Sequence, residues 1–256
     1  SGGDVALLAA KSNAPVDKTK WKADVEAKFE GQDTSWGYVL GVNYEPNQDF
    51  LLGFSYRSEI EHKAEGDLKI TAIDSDANYY QALMSKRDAS LSISTPSVIS
   101  LGLSWKGVPL TTLYVNVTNT RWSVVKSLVI KDTNDTALST TLLNYQDSNY
   151  IAVGGSYDLS ETIVLRGGLA LEDSAATDQY RNPRTPDNDR TILGLGLGYG
   201  ISGGVLDLGF EYYSFKDGKI DLDDPGESEY NKGRGDIKTT AKVNAMVLMT
   251  SYSVDI

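Results

Sequence analysis

The chain has 256 residues, 40 % of them apolar, and a formal net charge of −11, an acidity that excludes the basic stripe required for nucleic-acid binding. It has no cysteine, which rules out thiolate metal sites, thiol catalysis and disulfides, and no stretch reaches the roughly 18 consecutive apolar residues of a spanning helix. Its 24 glycines and 15 tyrosines against 7 prolines favour sheets joined by tight turns.

The start, Ser1-Gly2-Gly3-Asp4, has no basic region followed by an apolar core, so it is no signal peptide; the chain begins after a removed one or inside a longer protein. Residues 1–20 are expected to form an outer segment with a short helix at residues 5–10, and residues 21–256 a single β domain. Val25, Ala27 and Phe29 alternate weakly and extend the strand that begins at Ser35. From Trp36 to Tyr56, two strands flank the turn Pro46-Asn47-Gln48-Asp49. Tyr38, Leu40, Val42 and Tyr44 share one face of the first, and Phe50, Leu52, Phe54 and Tyr56 one face of the second. The second strand outruns its apolar band through Glu61, Lys63 and Glu65 to Gly66.

A loop is expected between Asp67 and Asp88, with Tyr79, Tyr80, Leu83 and Met84 at helical spacing. The next strand carries Leu91, Ile93, Ile99, Leu101, Leu103 and Trp105, and Pro96 predicts an irregularity in it because proline cannot donate to a ladder. After the turn Lys106 to Pro109, Leu113, Val115 and Val117 begin a strand expected to extend past Trp122 to Ile130, with a polar loop from there to Ser148. The same unit then recurs around turns at Asp158 to Glu161 and Ser202 to Gly204, and an acidic loop from Asp221 to Gly235 precedes a last strand bearing Met246, Leu248, Tyr252 and Val254. About nine strands follow from this alternation.

The connections after residues 45, 106, 158 and 201 are short, whereas those after 66, 130, 172 and 216 are long. A soluble sandwich has no reason to sort loops by parity. An up-and-down transmembrane barrel does, with short periplasmic turns and long outer loops. The fold expected is therefore all-β, an antiparallel transmembrane β-barrel of a Gram-negative outer membrane, with lipid against its apolar face.

Five stretches carry a resemblance to a known family: Gly53-Phe54-Ser55-Tyr56-Arg57-Ser58-Glu59 with the trailing His62 to Gly66, Thr120-Arg121-Trp122-Ser123, Leu165-Arg166-Gly167-Gly168 with Glu172-Asp173-Ser174, Pro186-Asp187-Asn188-Asp189-Arg190, and the terminal hairpin from Leu206. In order and spacing they resemble the FadL family of outer-membrane transporters for long-chain fatty acids and other hydrophobic compounds. The resemblance implies a fourteen-stranded barrel of which this chain holds the last nine strands and the loop before them. The family's amino-terminal hatch, its first strands and its kinked exit strand have no counterpart here. A sheet edge left open in lipid costs several kcal/mol per unpaired backbone group, so the missing amino-terminal part is an expected partner.

The resemblance further implies passive transport with no cofactor, the ligand being captured in an apolar groove between two outer loops. These correspond to Leu7 and Leu8 in one loop and Tyr79, Tyr80, Leu83 and Met84 in the other, although the two patches could equally pack on each other. On the inward face Arg57, Glu59, Arg166, Asp207 and Glu211 must be paired or wet. Arg57 and Arg166 could hold a carboxylate bidentately, against the alternative that inward arginines tie the wall together through carboxylates. The acidic run Asp221, Asp223, Asp224, Glu227, Glu229 lacks the ordered spacing of a calcium loop and reads as solvated. A general polar porin and an outer-membrane lipid hydrolase built on the single His62 are the alternative functions; no serine or carboxylate is tied to His62 by sequence.

Overall fold

A computed structural model describes residues 25–72, 86–183, 185–201, 203–221 and 237–254. Nine antiparallel strands form one continuous sheet: β2 (Val39–Asn47), β3 (Phe50–Arg57), β6 (Val98–Val108), β7 (Thr111–Thr120), β10 (Ser148–Ser160), β11 (Ile163–Glu172), β12 (Arg190–Ile201), β13 (Gly204–Phe215) and β16 (Asn244–Val254), in the order β16-β13-β12-β11-β10-β7-β6-β3-β2. Each strand pairs with its neighbour in sequence within this sheet, the up-and-down arrangement expected of a barrel wall.

The register carries the two-faced pattern across the sheet. Val42, Phe54, Leu101, Val117, Ile151 and Leu171 stand in one row from strand to strand. Leu195, Phe210 and Leu248 continue the same face. Apart from the half-buried Phe210 these side chains are exposed, Leu248 at 81 %, and an apolar surface this continuous is a lipid-facing band, since soluble monomers keep exposed patches to a few hundred Å². On the opposite face the row reads Asn43, Gly53, Gly102, Asn116, Ala152, Ala170, Ile192 and Tyr213. From Asn43 to Ala170 that row is small or polar, which leaves room for an aqueous interior; Ile192 and Tyr213 are its bulky members.

Tight turns close one end. Leu110 adopts φ 59° in the β6–β7 turn and Gly203 φ 84° in the β12–β13 turn. Glycine reaches that left-handed region without a Cβ clash.

At the other end three strands break and resume as a second sheet: β1 (Val25–Gln32), β4 (Ile60–Ala72), β5 (Lys86–Thr95), β8 (Ser127–Asp132) and β9 (Ala137–Leu142), ordered β1-β4-β5-β8-β9. The breaks fall at residues 33–38, at Ser58–Glu59 and at Pro96–Ser97. Ser58 and Tyr38 bridge two of them reciprocally, Ser58 N–H to Tyr38 O at 2.9 Å and Tyr38 N–H to Ser58 Oγ at 3.0 Å, and Arg121 N–H donates to Ser97 O at 3.0 Å. This outer crown has its own small core of Leu68, Ala89 and Leu138, with Phe29 and Ile130 packed against it.

Several sequence expectations change. Val25 to Phe29 belong to a strand separate from β2, paired with β4, and β4 runs on to Ala72, so the loop expected from Asp67 is shorter. The strand expected to continue past Trp122 is interrupted by a 3-10 turn, Trp122–Val124, where the Trp122 ring meets Tyr145 edge-on at 6.1 Å. The polar stretch before Ser148 contains β9, which its threonine and serine content concealed, and a short hairpin, β14 (Gly218–Asp221) with β15 (Lys238–Ala241), flanks the acidic loop. The irregularity expected at Pro96 is present.

Candidate functional site

The inner wall is where chemistry can be placed. Leu7, Leu8, Tyr79, Tyr80, Leu83 and Met84, and with them the helix expected at residues 5–10, lie outside the described residues. Arg57, Arg166, Asp207 and Glu211 occupy inward positions of β3, β11 and β13. Glu59 lies in the break between β3 and β4, outside the strand alternation.

The inward arginines differ in what they hold. Arg166 Nη1 reaches Asp207 Oδ1 at 2.7 Å, crossing β12 from β11 to β13. It does so over glycines: a Cβ on Gly198 would stand 3.0 Å from both Arg166 Nη1 and Asp207 Oδ1. The glycines that alternate along β12 thus let the arginine lie flat on the wall instead of projecting into the lumen. Arg190 is held by Glu172 on β11, with Nη2 at 2.7 Å from Oε1, and by Asp187 at 3.0 Å, and its guanidinium lies 5.6 Å from the Phe215 ring centre. Arg57, exposed and flanked in register by Val39 and Val98, has no ion pair with any of the described residues.

Above the wall, the loop from Asp173 to Asp189 is built around Arg181, whose side chain is 2 % exposed. Its guanidinium donates to Asp187 O at 2.6 Å, Lys219 O at 2.9 Å and Ala176 O at 3.0 Å and pairs with Asp178. Those bonds fasten the β11–β12 loop to β14. Ser174 N–H and Lys216 Nζ both bind Asp189, each at 2.9 Å. Burial would raise the Asp189 carboxyl, but these two donors outweigh it and hold it below the usual range.

His62 stands on β4 with Nδ1 2.8 Å from Asp33 Oδ2. Ser35 Oγ donates to that same Asp33 oxygen at 2.6 Å and is also 2.7 Å from Glu61 O. Serine, carboxylate and histidine are therefore neighbours, but the serine is on the carboxylate and not on the imidazole. A nucleophile needs its base within hydrogen-bond reach, so this cluster is a clasp between the start of the β2 arm and β4. Hydrogen bonds from Ser35 and then His62 hold the Asp33 carboxyl below its ordinary value.

Two cavities lie along the inner wall. One of about 550 Å³ occupies the half toward the tight turns, between Asn43, Glu45, Gly53, Gly102, Ser104 and Asn116. The other, about 230 Å³, sits toward the crown on Ala152, Gly154, Gly168, Ala170 and Gly194, bordered by Tyr150 and Glu211.

A wall of this kind, with this order of motifs, has known counterparts. Residues 4–255 match the profile of the family described as outer membrane protein transport protein (OMPP1/FadL/TodX). The chain belongs to the FadL/TodX family. As members of that family of outer-membrane transport proteins, its nine strands form part of a transmembrane β-barrel in the Gram-negative outer membrane. Among curated relatives, the 47 kDa outer membrane protein of Pasteurella multocida is 26 % identical over 75 % of this chain and 46 % of its own length. The long-chain fatty acid transport protein of Escherichia coli is 26 % identical over 73 % of this chain and 44 % of its own. The crystal structure of a Pseudomonas aeruginosa FadL homologue superposes with TM-score 0.76 at 22 % identity, covering 86 % of this chain and 52 % of that one. The Ralstonia pickettii toluene transporter gives 0.54 at 18 % identity, covering 89 % and 50 %. This FadL/TodX chain thus spans about half the length of the relatives it matches.

Sequence reasoning missed Arg181 and Asp33. Both sit in irregular segments, where no periodicity marks a buried side chain; the one available signal for Asp33 was its place two residues before a serine, a spacing common in turns.

Proposed function

We propose that this chain forms part of the wall of a passive channel carrying hydrophobic molecules across the outer membrane, with long-chain fatty acids as the cargo class. The observation that carries the reading is the two-faced wall in which Arg57, unlike Arg166 and Arg190, faces inward with no carboxylate among the described residues. A fatty-acid head group can supply that carboxylate bidentately, while Arg166, already neutralised by Asp207, is the weaker contact. Capture falls to Leu7 and Leu8 with Tyr79, Tyr80, Leu83 and Met84, where burying an acyl chain gains about 25 cal/mol per Å². The names of the relatives span fatty acid and toluene transport, which agrees with a wall selecting apolar character first.

The test is uptake of labelled palmitate and hexadecane into outer-membrane vesicles carrying the protein. Replacing Leu83 and Met84 with aspartate lowers both, and Arg57→Gln lowers palmitate more than hexadecane. Ion conductance unblocked by palmitate, with no uptake of either compound, would instead favour a polar porin.

A further inference from the structure

The crown-side cavity has a floor and two ends that the transport reading leaves unused. One register row crosses it: Tyr114 on β7, Gly154 on β10, Gly168 on β11, Gly194 on β12 and Glu211 on β13. Three glycines side by side leave bare backbone between an aromatic ring and a carboxylate. The next inward row toward the crown, Ala152, Ala170 and Ile192, continues this low floor. The result is a trough on a single sheet face.

Both ends lean over the floor. The Tyr114 hydroxyl lies 3.4 Å from Ser156 Oγ, which carries the ring over β10. Glu211 is half-buried, and its Cγ stands 3.9 Å from where a Cβ on Gly194 would be. Tyr213 donates its hydroxyl to Glu211 Oε2 at 2.6 Å, which steadies the carboxylate and leaves Oε1 without a donor among the described residues. The neighbouring inward arginines are committed elsewhere, Arg166 to Asp207 and Arg190 to Glu172 and Asp187. Glu211 therefore has no ion pair with any of the described residues. Between the Tyr114 ring and this carboxylate lie β11 and β12, about 10 Å of glycine floor at roughly 4.8 Å per strand.

We propose that this trough is a binding site for organic ammonium ions: the cation pairs with Glu211, and an apolar body one ring or one short chain wide lies over Gly168 and Gly194 against the Tyr114 ring. A half-buried carboxylate gains most from a charged donor, because charge-assisted hydrogen bonds are about twice as strong as neutral ones. A tyrosine face accepts an apolar body and attracts positive charge as well. The site stands apart from the fatty-acid reading, in which the head group is an anion and its partner is Arg57.

Phenethylamine, 2-phenylethanol and 3-phenylpropionate present the same ring with a cationic, a neutral and an anionic head group. Each is titrated into the whole protein in non-ionic detergent and followed by saturation-transfer difference NMR, with folding checked by circular dichroism. Phenethylamine binds saturably and about tenfold more tightly than the alcohol, the difference between a charged and a neutral hydrogen bond, and the carboxylate binds weakest at this site. Glu211→Gln, close in shape, weakens phenethylamine about tenfold and leaves the alcohol near wild type. Gly194→Leu gives a second arm: a Cβ there has only Glu211 Cγ within 4 Å, so the leucine covers the floor at little cost to folding and abolishes saturable binding with the carboxylate still in place. Absence of saturable phenethylamine binding in the wild type, equal binding of the three head groups, or unchanged phenethylamine affinity in Glu211→Gln overturns the site. None of these outcomes bears on palmitate and hexadecane uptake, by which the transport reading is judged separately.

Discussion

Arg181→Met is the substitution whose effect the structure defines best. Methionine keeps much of the arginine's buried bulk but donates nothing, so the carbonyls of Asp187 and Lys219 lose their guanidinium donor and that of Ala176 keeps only the Ser174 hydroxyl. At roughly 1 kcal/mol for each lost hydrogen bond, the loop is destabilised by about 3 kcal/mol. Asp178 adds little, because its side chain is more than half exposed and stays hydrated. The loss is local, since Arg181 fastens one loop to β14 and touches no residue of the apolar band. Hydrogen exchange reads it directly: the amides of Ser174, Arg181 and Lys216, which donate to Asp189 Oδ1, Thr177 O and Asp189 O, should exchange about a hundredfold faster. Amides in the middle of β12 should not change. Unaltered exchange at the three loop amides, or equal acceleration throughout the sheet, would refute the assignment of Arg181 as the clasp of this loop.

The hydroxyl of Thr177 is buried with no hydrogen-bond partner among the described residues, so Thr177→Val, of the same shape, should stabilise the same loop by about 1 kcal/mol, measured as slower exchange at Arg181. Leu195→Arg, near the middle of β12 on the lipid face, should cost about 2–4 kcal/mol of folding free energy in bilayers; Ser100→Arg, on the inner face of β6, should leave it near wild type, and equal costs would falsify the facing of the wall. Because the folded Asp33 carboxyl lies below its ordinary value, its clasp contributes fully above about pH 4 and is lost as pH falls through the lower folded value. Protection factors of crown amides, which are taken relative to the intrinsic exchange rate at each pH, should therefore fall in acid in the wild type, whereas those of Asp33→Asn should be equally low across that range.

The lipid-exposed wall was legible because its signal is arithmetic. Leu193, Leu195 and Leu197 alternate with glycines, and a one-residue error in any strand would have put an entire apolar set on the wrong face. Pro96 announced its break because it removes a donor. The break at Ser58–Glu59 did not, since neither residue is excluded from a strand; what ends β3 is the reciprocal bond between Ser58 and Tyr38, a contact twenty positions apart. β9 went unread because Ser139, Thr140 and Thr141 look like loop residues until β8 supplies the partner. On the inner wall the alternation placed Arg57, Arg166, Asp207 and Glu211 inward but also Glu59, which falls in the break, and it left open whether arginines bind ligand or wall. The pairing of Arg166 with Asp207 depends on a path over Gly198, a property of three strands together that no single segment carries.

The breaks in three neighbouring strands fall at one height, between β1 and β2, β3 and β4, and β5 and β6. Backbone ladders that stop together on adjacent strands define a line across which bending costs few hydrogen bonds. Crown and wall are then separate cooperative units: heat or denaturant should dissolve the small Leu68–Ala89–Leu138 core while the nine-stranded sheet persists. Loop sequence above that line can change without perturbing the register below it, which lets one scaffold carry many capture surfaces.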